Sequence, residues 1–362
     1  MAIYCTMVKD ALSVSRTNTF LNVACVRLAF PNWIIAMFPG RLGNWVHQLW
    51  IMLFTRVRLL GCKADIIHIL DGSHSYVAKW LPRLPVVATS HDVIPLLQAQ
   101  GSLGDFRPSR TGLWLIRRSL EGMRNADGII AVSRNTASDI HRLAGVAAEK
   151  ISVIYSAVPK EISERAADSP PAPWHERRWR DDAYMLHVGN NAFYKNRTGV
   201  VRVFSRVREK CKMRLVMAGP APTKELLRAV EERGLSGAIE FVADPDETAL
   251  ENLYRNACLF LFPSVYEGFG WPPLEAMTYR CPVVCSDAAS LPEVVGDAAL
   301  ICPPEDEVQM AKKCDAVLQD EQLANDLVAK GLKQAAKFTV GKMGRELLGV
   351  YEEVLQKKNA LR

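Results

Sequence analysis

Short runs of β-branched and aliphatic residues recur along the chain, each followed by a stretch whose apolar positions fall three and four apart. Unalternated apolar runs of this kind mark strands buried on both faces, and the intervals between them suit single helices. In the second half this pattern predicts strands at 183–188, 213–218, 239–242, 259–262 and 283–285, with helices at 200–207, 223–233, 247–257 and 273–279. The first half keeps the same rhythm from residue 66 onward, with strands at 66–70, 86–90, 128–132 and 151–155. Strand and helix in alternation predict an α/β chain of two Rossmann-like domains. Residues 1–168 form the first, with 1–63 atypical, and residues 183–340 form the second. Between them, residues 169–182 carry SPPAPWHERRWR, whose prolines and arginines read as a linker or surface excursion. The end, 341–362, has Leu347, Leu348, Tyr351 and Leu355 at helical spacing, a terminal helix that closes its own domain or packs back on the first.

Composition narrows the class without changing that picture. With 362 residues, 49% hydrophobic and 23% charged, the chain has the proportions of a globular protein with two full cores, not of a disordered or collagen-like one. No apolar run approaches the roughly 20 residues that a spanning helix needs, and the start lacks the pattern of a secretory signal. Nine scattered cysteines without a CxxC pair read as reduced thiols of a cytoplasmic protein, with neither a disulfide frame nor a zinc site. The net charge of +6 is unevenly placed: +9 in residues 1–180 and −3 in 181–362. No acidic residue occurs between Asp10 and Asp65, whereas Arg16, Arg27, Arg41, Arg56, Arg58 and Lys63 do.

The chemistry concentrates in YEGFGWPPLEAM at 266–277. Pro272 and Pro273 suit the first turn of a helix, where a missing N–H costs nothing. Glu275 then lies one turn inside that helix and Glu267 in the loop before it. Gly268 and Gly270 let the backbone take unusual dihedrals and approach a ligand closely. A loop of exposed N–H groups entering a helix start is an anion site suited to a diphosphate. The two carboxylates serve neutral hydroxyls, so the pattern fits a sugar nucleotide better than a bare phosphate; the alternative is a helix capped by acids. Asp244-Pro245-Asp246 has the form of a metal-binding DxD, but Asp246 is more simply the N-cap of the next helix. The seven histidines show no HxH or HExxH spacing, so no metal is expected.

These residues resemble the donor-binding domain of the retaining, GT-B-fold glycosyltransferases of family 4, the group 1 glycosyl transferases. The resemblance runs through HVGNNAFYKN (187–196), LVMAGP (215–220), the stretch 241–277, CPVVCSD (281–287) and LPEVVGDAALICPP (291–304). ADIIHILD (64–71), TSHDVIPL (89–96) and ADGIIAVSRNTASDI (126–140) extend it into the first half. It implies a GT-B architecture, two Rossmann-like domains facing across a cleft, and a catalytic set of His91, Lys195 and Glu267. Glu267 would contact hydroxyls of the donor sugar, Lys195 would neutralise the departing diphosphate, and His91 would lie across the cleft. Gly268, Phe269 and Gly270 would offer backbone amides, Glu275 would hold the ribose, and the base would lie by Val242. Such enzymes resemble metal-independent transferases without a cofactor. Asn190 stands where the family often has a second phosphate-binding Arg, with Arg197 a nearby candidate, and Arg280 replaces the usual glycine after the helix.

The resemblance implies hexosyl transfer, of mannose or a similar sugar, from GDP-mannose or a UDP-sugar to a hydroxyl of a glycan or lipid-linked acceptor. Two alternatives accompany it: a non-catalytic nucleotide-sugar-binding partner subunit, and a GT-B-fold sugar-nucleotide epimerase. The family's opening strand and glycine-rich loop are not visible in residues 1–63, so the first domain reads as truncated at its N-terminus or rebuilt. That segment instead offers a membrane-surface pattern, with Trp45, Leu49, Trp50, Leu53 and Val57 at helical spacing between Arg41 and Arg58. Arg110, Trp114, Arg117 and Arg118 repeat it, and the expectation is a peripheral contact with anionic lipid at the inner membrane face. The competing reading places these tryptophans in the core and the arginines on a solvated face. No nucleic-acid recognition motif accompanies the charge.

Overall fold

The apolar runs become two all-parallel sheets, each covered on both faces, as runs without a polar face require. The computed structural model describes residues 2–14, 22–26, 46, 50–51, 53–55, 57 and 64–360, apart from 82–83 and 105–106. In the first sheet, β1 (Ile67–Ile69), β2 (Val86–Ser90), β3 (Gly128–Ala131) and β4 (Ile151–Val153) lie side by side in chain order. The second contains β5 (Tyr184–Val188), β6 (Arg214–Gly219), β7 (Ile239–Ala243), β8 (Leu259–Phe262), β9 (Val283–Ser286) and β10 (Ala299–Cys302). Its order is β10-β9-β8-β5-β6-β7, so the chain reverses its direction of growth between β5 and β8. Ligands of such sheets bind at that switch point, beyond the carboxyl ends of the strands.

The predicted strands are present with ends shifted by one or two residues, and β10 is an addition. Its Ala-Leu-Ile-Cys run is short and opens on a residue with weak strand preference, which hides it in the sequence. Helix starts are set by caps rather than by periodicity. Asn196, at φ +50°, accepts from the Gly199 N–H and starts the helix Arg197–Arg208 three residues before the apolar pattern does. The helix with two prolines in its first turn runs Trp271–Thr278, and Arg280 takes the left-handed conformation (φ +58°) usually left to glycine.

Residues 169–182 are less free than a surface excursion. The helix Trp174–Arg178 buries Trp174 and Arg177 against the second domain. The Trp174 indole donates to the Cys258 carbonyl at 2.8 Å, and Arg177 donates to the carbonyls of Arg255, Ala257 and Arg280. The terminal helix Val340–Ala360 returns to the first sheet. With the helix Ala2–Val14 it buries Tyr4, Met7, Ala11, Met343, Leu347 and Val350 over Val87 and Ile130. A helix therefore occupies residues 2–14 of the atypical segment.

Of the membrane-surface pattern, Trp45 and Leu49 lie outside the described residues. Within it Ile51 and Thr55 are buried, while Leu53 and Val57 are 69% and 62% exposed. Trp50 stacks on Phe54 at 4.3 Å. Arg118 lies over the Trp114 ring at 5.5 Å and pairs with Glu121.

Candidate active site

Three loops at the carboxyl ends of the second sheet meet one loop of the first. After β5 the chain makes a tight turn, Phe193–Lys195, before Asn196 caps the next helix. The Val265 N–H donates to the Tyr194 carbonyl at 2.8 Å, tying this turn to the loop after β8. Lys195 and Glu267 are thereby brought together, with Nζ 2.7 Å from Oε1 and both side chains largely buried. Burial pushes the Glu267 carboxyl upward in pKa and the Lys195 ammonium opposes that push. The rings of Phe262 and Tyr194 flank the ammonium at 5.2 and 5.7 Å. The pair is set in a wall that excludes much of the water that would otherwise screen it.

The glycine loop continues from Glu267 into the helix start. Gly270 has φ +111° and sits at the N-cap of Trp271–Thr278, a conformation that β-carbon residues rarely adopt. Phe269 turns its ring into the core against Phe338 and Tyr155, leaving its backbone to the loop. The Ser290 hydroxyl lies 2.9 and 2.7 Å from the carbonyls of Glu267 and Phe269, and its single proton pins one of them at a time. With those carbonyls turned inward, the loop is held from behind.

One helical turn on, Glu275 is covered by Tyr254, whose hydroxyl donates to Oε2 at 2.9 Å. Burial pushes the Glu275 carboxyl up to about 7, against the lowering effect of that hydrogen bond. Val242 lies on the edge strand β7, paired with Ala218 of β6. Asn190 is exposed, and its Oδ1 accepts from the Ala192 N–H at 3.0 Å. Arg197 is buried and committed to Asn191 and the Pro220 carbonyl, so it braces the loops after β5 and β6 in this conformation. Gly219, at φ +139°, lets these loops meet: a β-carbon there would stand 2.3 Å from the Gly189 carbonyl oxygen.

His91 arrives from the first domain on the loop after β2. A β-carbon on Gly268 would stand 1.9 Å from the His91 carbonyl oxygen and 3.0 Å from the Asp92 Cβ, so the two domains touch at the donor-type loop. His91 Nε2 lies 2.9 Å from the Leu70 carbonyl oxygen, which can only accept, so Nε2 carries the proton and Nδ1 is left as an acceptor. Burial lowers the His91 pKa below its ordinary value, and the imidazole is neutral at pH 7. Its ring meets the edge of Tyr4 at 4.5 Å, so the N-terminal helix supports it directly. Below, Tyr4 and His68 share Thr89 Oγ1, and His68 reaches Tyr351 of the terminal helix at 2.6 Å.

His91, Lys195 and the loop Glu267–Gly270 come together where the two domains touch, while Glu275 lies inside the helix Trp271–Thr278, Val242 on β7 and Asn190 on the loop after β5. Asp246 caps its helix by accepting from the Ala249 N–H at 2.7 Å. Among the described residues, no three metal-ligating side chains converge. Sequence reasoning assigned no role to Tyr254, Ser290, Asp92 or Thr136. Thr136 donates to the Gly268 carbonyl from across the cleft at 3.1 Å. Thr136 and Ser290 lie in or beside quoted motifs, and only tertiary contact reveals what they hold. The arrangement can receive an anion at the loop amides and neutral hydroxyls at the carboxylates.

Known proteins resemble this chain in sequence and in fold. The family model for glycosyltransferase family 4 matches residues 12–161, and that for glycosyl transferases group 1 matches residues 173–334. The chain is 29% identical over 291 residues to O-antigen chain mannosyltransferase B of Escherichia coli, covering 79% of this chain and 74% of that protein. It is 28% identical over 293 residues to the serotype-specific mannosyltransferase WbdA of Escherichia coli, where 76% of this chain spans only 35% of the relative. In three dimensions it resembles sucrose-phosphate synthase (tll1590) from Thermosynechococcus elongatus, with a TM-score of 0.76 at 18% identity, covering 98% of this chain and 93% of that one. Two matched halves, a GT-B fold and a continuous site between them lead to one assignment: the chain belongs to the group 1, family 4 glycosyltransferases.

Proposed function

We propose that this glycosyltransferase moves mannose from a nucleotide diphosphate donor to a hydroxyl of a surface glycan or lipid-linked acceptor, with retention at the anomeric carbon. The observation that carries the reading is the Lys195–Glu267 pair, 2.7 Å apart, which joins the turn after β5 to the glycine loop where that loop meets the His91 loop. A diphosphate entering at the loop amides would draw Lys195 toward the departing charge, and Glu267 would be freed for sugar hydroxyls. Neutral His91, with Nδ1 open, would accept from a hydroxyl of the bound sugar. Glu275, as a carboxylate, would accept from the ribose. In this reading the amides and lysine supply the charge stabilisation, and neither metal nor resident cofactor takes part. The mannosyl preference is supported by the two O-antigen and serotype-specific relatives. GDP-mannose is the first donor to test, with UDP-hexoses beside it.

The deciding experiment is a donor panel read by thermal shift and by transfer to a mannose-terminated lipid glycoside. Ligand binding to the native state raises the melting midpoint, so GDP-mannose is expected to stabilise the chain and to be consumed with an α-linked product. Binding without hydrolysis or transfer, or epimerisation of the donor without acceptor, would overturn the reading.

A peripheral membrane contact of the first domain completes the proposal, with the protein on the cytoplasmic side where nucleotide sugars are made. It is supported by exposed Leu53 and Val57 within a segment bare of acids. Among the described residues no helix is long and apolar enough to cross a membrane. Co-sedimentation with phosphatidylglycerol vesicles at low salt, lost at high salt, is the expected result. Absence of binding at low salt removes the idea.

A further inference from the structure

The two domains are joined at a second place besides the His91–Gly268 contact, and it centres on one carboxylate. Glu293 lies in the short helix Leu291–Val295 of the second domain. Its Oε2 accepts from the Arg134 N–H at 2.8 Å and its Oε1 from the Asn135 N–H at 2.9 Å, at the start of the first-domain helix Arg134–Asp139. The Tyr155 hydroxyl donates to the same Oε2 at 2.9 Å. The first N–H groups of a helix have no partner within it, so the carboxylate satisfies donors that its own domain does not supply. Charge-assisted bonds of this kind are the stronger ones.

The same helix is tied to the donor-type loop. Thr136, one residue beyond Asn135, donates to the Gly268 carbonyl at 3.1 Å, and Tyr266 donates to Asp139 Oδ2 at 2.8 Å. Asn135 Nδ2 completes the set with the Tyr266 hydroxyl at 3.4 Å. Glu293 and the loop that carries Glu267 are therefore clamped to one six-residue first-domain element, a short chain distance from each other on the second-domain side. Separating the domains would break these bonds together and leave every partner able to hydrate.

We propose that Glu293 is a positioning residue for transfer, a clasp that sets domain closure and thereby holds His91 over the Gly268 loop. It touches neither donor nor acceptor in this role. The proposal rests on the transferase reading of the site and adds to it a residue that controls how the two halves of that site meet. Its consequence is a division of labour: the second domain holds the nucleotide whether or not the clasp is formed, while transfer requires the clasp.

The test is Glu293→Gln, which keeps the size and one acceptor oxygen but removes the charge and one acceptor site. The kcat for transfer from the donor that the panel identifies is expected to fall at least tenfold. The Kd for GDP or UDP, whichever that donor carries, is expected to stay within threefold. Hydrogen exchange at the Arg134 and Asn135 amides is expected to accelerate at least tenfold. Tyr155→Phe, which removes one donor of three, is expected to give a smaller loss in kcat. Unchanged kcat in Glu293→Gln overturns the proposal, as does a loss of kcat matched by equal loss of nucleotide affinity and of folded protein. If the wild-type chain transfers no sugar, the transferase reading fails, and exchange still decides the clasp: unchanged Arg134 and Asn135 exchange overturns it.

Discussion

Lys195 and Glu267 neutralise each other where neither can be well solvated, so each depends on the other before any ligand arrives. Removing one partner of a buried pair costs about 3–5 kcal/mol, because the remaining charge is left without compensation. Lys195→Ala is expected to abolish transfer and to lower stability by about 3 kcal/mol in urea unfolding. Lys195→Met combined with Glu267→Gln is expected to recover most of that stability and none of the transfer. A double variant that transferred at the wild-type rate would remove the pair from the chemistry. Glu275 gives a pH signature. Its folded carboxyl is pushed up to about 7 by burial, so the native state holds a proton that the unfolded chain releases near its ordinary, lower pKa. The stability this supplies is present at acid pH and lost as pH rises through about 7. Donor affinity should move the opposite way, strengthening from pH 6 to pH 8 as the carboxylate becomes available to ribose hydroxyls. Glu275→Gln is expected to flatten both trends in thermal melts and donor titrations, and a persisting slope in affinity would assign it to another group. Residue types and spacing made Glu267 and Glu275 legible, since carboxylates flanking a glycine loop have few structural uses, whereas Lys195 was pointed out only by the family resemblance. Tyr254 was not legible, because nothing in its own helix distinguishes it from a core tyrosine.

At the scale of elements, the site depends on places where backbone meets backbone. Gly268 faces the His91 carbonyl so closely that a methyl group would stand 1.9 Å from it, and no side-chain rotation relieves such a clash. Gly268→Ala is expected to force the two loops apart. A misplacement of about 1 Å in a positioned site can lower rate roughly a hundredfold, so a loss of that order in kcat is expected, with nucleotide binding to the second domain retained. Wild-type turnover in this variant, measured as product formed per folded enzyme, would show that the loops need not touch. The glycines themselves were legible in the motif. Their neighbour was not, because His91 lies on a different sheet and its loop reaches Gly268 only through the packing of two domains. The early start of the helix at Arg197 was missed for a related reason. Its cap is a single asparagine in a left-handed conformation, a weak sequence signal beside apolar periodicity.

At the scale of the whole molecule, the last helix belongs to the first sheet. Leu347 is fully buried there, among residues from both ends of the chain. Leu347→Ala is expected to destabilise by about 2–5 kcal/mol, the range for a buried leucine that leaves a cavity. The loss should appear in the unfolding of the first domain, followed by the fluorescence of its tryptophans in urea. A loss confined to the second domain would contradict the packing. The unusual N-terminal segment takes on a function at this scale as well. Tyr4 rests against His91, and its hydroxyl joins the hydrogen-bonded chain through Thr89, His68 and Tyr351. The N-terminal helix thus supports His91 directly.

Apart from Lys195 and His91, which only the family resemblance pointed out, the sequence by itself determined the fold class, the order of the βα units and the two carboxylates about the glycine loop. Each of these is written in local period, in residue type or in short spacing, and local physics is sufficient to read it. Tertiary structure alone decided which carboxylate meets which cation, how deep Glu275 lies, and that a helix at residues 2–14 and another at 340–360 cover the same sheet. It also decided that Glu293, one acid among 39 in the chain, faces the open N–H groups of another domain. Those outcomes depend on contacts between different elements of the chain, some of them more than a hundred positions apart, set by the burial of apolar faces that no local pattern records.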